Sequence, residues 1–315
     1  MSNFGASTTG QEVVSAYPEQ VSGRTFAITG ASVGGIGAHV TYCLAAAHPA
    51  MIILLGRNEA KVSPVVEKIQ QISPSTKAQF VKVDLASTAS VRAAAAEIRK
   101  AVVKIDVLIN NAGIMGPKFS LTPDGVESQF GANHIGHFLL TNLLIPQLEA
   151  AGKGSRVVNV SSLLYQFSPV RFDDYNFDNG QIYNTWEAYG QSKTANILFS
   201  VALATKLATK GVKSYSLHPG NIQDTNLSAT IDPSEWPIVG AMFGEKNVEL
   251  PKAKTIEQGS ATTLVAALDP KLEDVSGAFL DDCKPSKTLE YASSLDNADK
   301  LWALSEKIVR EKFSY

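Results

Sequence analysis

The chain predicts an α/β protein built on a doubly wound parallel sheet of seven strands with helices on both faces. Three observations carry that expectation. From Arg24 onward, short apolar β-branched runs alternate with longer Ala-rich or amphipathic segments, the rhythm of βαβ units whose strands are buried on both sides. A glycine-rich loop follows the first of those runs and opens a helix. No linker, low-complexity tract or internal repeat interrupts the pattern, so residues 23–315 read as one domain behind an N-terminal extension of residues 1–22.

In order, the strand candidates are 25–29 (TFAIT), 51–55 (MIILL), 79–83 (QFVKV), 105–109 (IDVLI), 156–160 (RVVNV), 212–217 (VKSYSL) and 277–280 (GAFL). Apolar periodicity places helices near 36–47, 58–72, 87–103, 125–150, 187–209, 256–268 and 297–313. Two stretches break the rhythm. Residues 163–186 and 221–255 are aromatic, Pro-bearing and too long for ordinary connections between a helix and a strand. Long loops at strand ends commonly carry function, so these are candidates for a substrate pocket, with 221–255 as a small lid after the sixth strand.

Composition narrows the function classes. With 315 residues, 44% hydrophobic and 18% charged, the chain has the makeup of a soluble globular protein with a large core. A net charge of −2 and the lack of a Lys/Arg run with interleaved aromatics argue against a nucleic-acid partner. No membrane span or basic, apolar leader is evident, and Cys43 and Cys283 read as reduced buried thiols, so the expected location is cytoplasmic.

Chemistry is concentrated in a few motifs. In TGASVGGIGAHV, Gly30, Gly35 and Gly37 are placed where backbone amides at a helix start approach a pyrophosphate. The second strand ends at Gly56-Arg57, where many NAD-binding folds carry an acid for the adenosine ribose; a guanidinium there suits a 2′-phosphate and points to NADP(H). Asp84, after the third strand, is either an acceptor for the adenine amino group or a helix cap. Tyr189 and Lys193 stand four apart on one helix face, where a cation favours the phenolate and draws its pKa from about 10 toward a usable range. Ser161-Ser162 close one strand, Asn110-Asn111-Ala112-Gly113 follow another, and Asn133 lies in GANHIGHFLL. Strand ends of a parallel sheet share one crevice, where these groups can meet. Two decoys are set aside. Residues 174–180 imitate half of a calcium loop, but the glycine is one place late and Thr185 stands where Glu is required. His134 and His137 share a helix face without further metal-type partners, and read as packing or capping residues; no metal is expected.

Taken together, TG(x)4GIG, NNAG, NHIGHF, NVSS, YGQSK and HPG occur in the order of the short-chain dehydrogenase/reductase family, which the chain resembles over roughly residues 24–283. The likeness is nearest to the retinol-dehydrogenase-like and WW-domain-oxidoreductase-like branch, especially forms typical of filamentous fungi, on NHIGHFLLTN, SPVRFDDYNF, AYGQSKTANILF and SGAFLDDC. It implies a Rossmann-like sheet and a catalytic tetrad of Asn133, Ser162, Tyr189 and Lys193. In that mechanism Ser162 orients the substrate oxygen and Tyr189 exchanges a proton with it. Lys193 lowers the Tyr pKa and holds the nicotinamide ribose, and Asn133 anchors a relay water. The resemblance favours Ser162 over Ser161. It adds Ser32, Ile36, Leu85, Asn111, Ala112, Gly113, Pro219, Gly220 and Thr225 to the cofactor contacts, with Tyr189 and Lys193 shared between cofactor and chemistry. It also implies a possible homo-oligomer.

Two departures stand out. Gly30 and Gly35 enclose four residues rather than three, which widens the pyrophosphate turn. In PGNIQDTN, Asp224 stands where the family has Thr, and Thr225 comes one place late, so either could meet the cofactor. The function expected is therefore NADP(H)-dependent interconversion of a carbonyl and an alcohol on an apolar, medium-sized substrate, in keeping with secondary metabolism. Tyr165, Phe167, Trp186, Trp236 and Phe243 supply the apolar character. The alternatives are non-redox or redox-coupled chemistry on the same fold (dehydration, epimerisation, cyclisation) and a catalytically silent NADP-binding sensor or scaffold.

Overall fold

The computed structural model describes residues 3–222, 225–228 and 231–315. In chain order its helices and strands are α1 (Gly10–Ala16), β1 (Thr25–Thr29), α2 (Ile36–Ala45), β2 (Met51–Gly56), α3 (Ser63–Ile72), β3 (Lys77–Lys82), α4 (Thr88–Ala101), β4 (Val107–Asn110), α5 (Ser128–Phe130), α6 (Gly136–Ala150), β5 (Arg156–Val160), α7 (Thr185–Lys206), β6 (Lys213–Leu217), α8 (Glu235–Glu245), α9 (Ile256–Leu268), β7 (Phe279–Asp281), β8 (Lys284–Ser286), α10 (Glu290–Ser293) and α11 (Leu295–Val309). The strands form one sheet in the order β3-β2-β1-β4-β5-β6-β7-β8. Every pairing is parallel except β7 with β8.

Alternation along each strand sorts the core into two layers, because successive side chains of a strand point to opposite faces. Ala27, Ile53, Leu55, Leu108 and Val157 face one way and meet α4, α6, α7 and α11. Phe26, Ile28, Ile52, Leu54, Val107, Ile109 and Val158 face the other way and meet α1, α2, α3 and α9. With both faces covered, the central strands β1, β2, β4 and β5 are buried along nearly their whole length, which is why they read as largely apolar runs.

Seven parallel strands match the expectation, and the structure adds an eighth. β8 is a three-residue antiparallel edge strand, Lys284–Ser286, fully exposed and without apolar alternation, so nothing in its composition marks it. Asp282 (φ 47°) and Cys283 (φ 65°) turn the chain into it in the left-handed region, where Gly or Asn is the usual choice. Three further differences concern helices. Within residues 1–22, Thr9 and Glu12 form a capping box that starts α1, and Val13 and Val14 are buried in the layer containing α9. The expected helix 125–150 begins at Ser128 and runs without a break to Ala150, with a π-helical turn over Gly131–Ile135 joining α5 to α6. The lid region contains α8, which no periodicity had indicated.

Arg156, the first residue of β5, is only 3% exposed and donates to the carbonyls of Ala266 (3.0 Å) and Asp269 (2.9 Å), closing the C-terminal end of α9. Replacing it with Leu is expected to lower stability by about 2–4 kcal/mol, since two buried carbonyls lose charge-assisted donors. Chemical denaturation of the variant and its parent measures the loss. A change under about 1 kcal/mol would show that other donors take over.

Candidate active site

The strand order reverses direction between β1 and β4, and the crevice outside their C-terminal ends is where open α/β sheets bind ligands. The chain leaves β1 at Gly30 with φ 73°, and a Cβ there would stand 2.7 Å from Ala112 Cα. At Gly37, in the first turn of α2, a Cβ would come within 2.7 Å of the Gly30 carbonyl oxygen and 2.6 Å of Asn111 Nδ2. Asn111 straps the loop from the other side, donating from Nδ2 to the carbonyls of Thr29 (2.9 Å) and Gly30 (3.3 Å). The wider four-residue turn closes on a bond from Gly35 N to Ser32 O at 3.0 Å. No side chain caps α2 at Gly35, so the first-turn amides beside Ile36 are open to an anion.

Around this loop, Arg57 is exposed after β2 and makes no ion pair among the described residues. Asp84 accepts the Ala86 amide at 3.0 Å through Oδ1, so it caps the turn before α4 while its second oxygen stays uncommitted there. The Leu85 carbonyl oxygen lies 2.2 Å from where a Cβ on Gly136 would be, so α6 approaches that loop backbone to backbone. Gly113 sits beside Lys193, with a built Cβ 3.4 Å from both Lys193 Nζ and Asn133 Oδ1.

Tyr189 and Lys193 lie one turn apart on α7, 2% and 3% exposed, with Nζ 5.5 Å from the phenol ring centroid. The two serines after β5 have different jobs. Ser161 turns inward and donates to the Lys193 carbonyl at 2.7 Å, whereas Ser162 Oγ accepts Leu164 N at 3.2 Å and lies on the side of the Tyr189 phenol, where it favours the phenolate. Asn133 stands in the π-helical turn: its Oδ1 accepts from Ile114 N at 2.8 Å, and its Nδ2 donates to Ile114 O at 2.9 Å and Ser192 Oγ at 3.0 Å. Its side chain thus ties the stretch after Gly113 to α7.

Burial dominates the electrostatics of the pair. It pushes the Tyr189 phenol above its ordinary value, with the Ser162 hydrogen bond acting in the opposite direction. This corrects the expectation of a phenol drawn down by Lys193: loss of hydration raises it instead. The same burial lowers Lys193 from 10.5 to about 8, and its Nζ donates to Val160 O at 3.1 Å. A base whose pKa falls on folding destabilises the protein below its folded pKa, and that cost disappears as pH rises from about 8 to 10.5. Lys193→Met is therefore expected to raise cofactor-free stability at neutral pH by up to about 3 kcal/mol, with the gain shrinking across that window. Thermal melts as a function of pH test this, and a gain that does not depend on pH would assign it to packing alone.

An apolar wall rises beside the tetrad. Phe167, Trp186, Ile231, Val239, Met242 and Val248 are buried together, with Met115, Leu163 and Leu164 against them, which brings the lid region onto the residues that follow Ser162 and Gly113. Ile231 closes on Gly116, where a Cβ would come 2.7 Å from its Cγ1. The ends of the lid region are held together: Asn221 bridges Ala253, and Lys254 N donates to Asn221 O at 2.8 Å. Within it, Asn226 Nδ2 reaches the Val33 carbonyl of the glycine loop at 3.1 Å. Of the aromatic residues expected here, Phe243 packs on Phe167 at 5.2 Å and Trp236 lies 6.3 Å from Trp186. Tyr165 does not join them; it packs with Ile197, Phe279 and Ala292, and its hydroxyl accepts Leu289 N at 3.1 Å. Pro219 and Gly220 (φ 108°) follow β6, Thr225 is half-buried, and Asp224 lies outside the described residues.

Comparison with known proteins settles the family. The family model of the short chain dehydrogenases matches residues 24–176. Retinol dehydrogenase 14 of Mus musculus is 37% identical, over 93% of this chain and 87% of its own length. The chain belongs to the short-chain dehydrogenase family. A chloroplastic short-chain dehydrogenase of Brassica napus, TIC 32 A, is 36% identical over 98% of this chain and 95% of its own. An uncharacterised protein from Mycobacterium paratuberculosis shares the fold with a TM-score of 0.72 and 32% identity, over 93% of this chain and 96% of that one. This short-chain dehydrogenase is thus an oxidoreductase of a family that uses nicotinamide cofactors. No helix among the described residues is long and apolar enough to cross a membrane.

Three buried polar residues at the site were not singled out from the sequence as site residues. Thr29 accepts the amides of Asn111 (2.9 Å) and Ala112 (3.0 Å); its place directly before Gly30 was the available signal. Ser192 receives Asn133, and its position inside YGQSK carried the hint. His218 accepts the Leu163 amide at Nδ1 (3.2 Å), steadying the residue next to Ser162.

Proposed function

We propose that this short-chain dehydrogenase is an NADP(H)-dependent oxidoreductase that interconverts a carbonyl and an alcohol on an apolar, medium-sized substrate. The observation that carries the reading is the convergence of Ser162, Tyr189 and Lys193 beside the apolar wall of Phe167, Trp186 and Met242. The residues fit the cofactor: Gly30 and Gly37 leave no room for a Cβ, the first amides of α2 are uncapped, and Arg57 offers an uncommitted guanidinium to a 2′-phosphate. When bound, the nicotinamide supplies the hydride in reduction and accepts it in oxidation.

In reduction, the Ser162 hydroxyl holds the carbonyl oxygen and Tyr189 gives that oxygen its proton as the carbon takes the hydride. Burial suits the phenol to the acid role, since it keeps the proton on Tyr189 until negative charge develops on the oxygen. Lys193, whose pKa is lowered to about 8, is charged near neutral pH, so it favours the phenolate left behind and can donate to a ribose hydroxyl. Asn133 keeps Gly113–Ile114 and α7 in register. The apolar wall excludes water and selects the body of the substrate.

Following NADPH fluorescence against decanal, acetophenone and a steroid ketone tests the class. Oxidation of NADPH with at least one of them is expected, whereas cofactor that binds and never turns over would favour non-redox chemistry or a binding role. Arg57→Asp should move the preference toward NADH by about tenfold or more, as loss of a charge-assisted contact implies. An unchanged NADPH/NADH ratio would show that another group reads the phosphate.

A further inference from the structure

Four residues after Asn133, His137 is 1% exposed and both of its ring nitrogens are engaged. Nδ1 lies 2.9 Å from the Asn133 carbonyl oxygen, which can only accept, so Nδ1 carries the proton. Burial holds the imidazole neutral, with a pKa pushed down to about 4; the Asn133 contact raises it and the Lys193 charge lowers it. Nε2 is then a bare acceptor, and the Thr29 hydroxyl donates to it at 2.9 Å. The other side of that hydroxyl accepts the Asn111 and Ala112 amides. One hydrogen-bonded line therefore runs from the Asn133 carbonyl through His137 and Thr29 to the two amides beneath the glycine loop. Lys193 on α7 and His134 on the adjoining π-helical turn are the titratable groups facing the imidazole.

We propose that His137 is a positioning residue that couples the cofactor cradle to the catalytic asparagine, so that dinucleotide seating and proton transfer are set by one hydrogen-bonded unit. This rests on the oxidoreductase reading of the same site. The imidazole is the part that joins the Asn133 carbonyl to the Thr29 hydroxyl. It sits in the first turn of α6 and is 1% exposed, so it acts through its neighbours. Its effect is exerted through Asn133, whose side chain is already committed to Ile114 and Ser192, and through Thr29.

Two conservative variants separate the two halves. In His137→Asn the amide stands at the place of Nδ1 and can still donate to the Asn133 carbonyl, but it falls short of Thr29. In His137→Gln the amide reaches Thr29 and the side-chain bond to the Asn133 carbonyl is lost. Fluorescence titration should show NADPH Kd rising about tenfold in the Asn variant with kcat near that of the parent, and kcat falling about tenfold in the Gln variant with Kd near that of the parent. The carbonyl that gives the highest rate in the panel above serves as the probe. Amide hydrogen exchange at Asn111 and Ala112 should be faster in the Asn variant than in the Gln variant, a readout that needs no turnover. Parallel changes in Kd, kcat and exchange in both variants would overturn the proposal and reduce His137 to packing. A parent protein that neither binds NADPH nor oxidises it would instead sink the oxidoreductase reading, and the exchange pattern would still judge His137.

Discussion

Tyr189→Phe is expected to lower kcat by about a thousandfold while NADPH affinity and thermal stability stay close to those of the parent, because positioned acid/base groups contribute factors of this size. The substitution removes one oxygen and keeps the ring, which is buried on α7 with Lys193 over its face. What disappears is the hydroxyl proposed to give up the proton, on the side of the ring that Ser162 faces. Steady-state NADPH oxidation beside a fluorescence titration separates turnover from binding. Undiminished turnover would remove Tyr189 from the proton path and shift attention to Ser162 or a water.

Gly37→Ala is expected to weaken NADPH binding by about a hundredfold and to destabilise the protein by about 1–3 kcal/mol, the usual cost of forcing a methyl into a filled space. The new Cβ would meet the Gly30 carbonyl oxygen at 2.7 Å and Asn111 Nδ2 at 2.6 Å. Relief requires the first turn of α2 to move off the loop, and the amides proposed to bind the pyrophosphate move with it. Titration with NADPH and thermal melts check both effects. Normal affinity in a destabilised variant would show that the cradle tolerates the shift and that the glycine serves packing alone.

Much of this architecture was legible because the physics behind it is local. β1, β2 and β5 read correctly to within a residue, since strands buried on both faces are dominated by apolar residues. The glycine loop declared itself through backbone geometry that only glycine accommodates. α1 carried its own start signal in Thr9 and Glu12, yet seven residues show too little periodicity to be recognised. β8 had no signal at all, because a short exposed edge strand is created by its neighbour β7 and not by its composition.

The site divides along the same line. Tyr189 and Lys193 at helical spacing, the serines closing a strand and the Asn-Asn-Ala-Gly stretch are readable because spacing within an element sets their faces. Which serine meets Tyr189 depended on how β5 ends against α7, a contact between elements far apart in the chain. The same holds for Tyr165, whose aromatic ring suited a pocket wall but was claimed by Phe279 and Tyr291. His137 looked like a packing residue until Thr29, 108 positions earlier, was brought within 2.9 Å.

By itself, then, the sequence determined the α/β layering, the place of the glycine loop after β1 and the one-turn spacing of Tyr189 and Lys193, all consequences of periodicity and backbone sterics acting over a few residues. Only the tertiary structure decided the protonation balance of that pair, the partner of each serine, the seating of the lid region on Gly116 and the link through His137. Those depend on burial and on hydrogen bonds between distant segments, and both quantities exist only once the chain is packed.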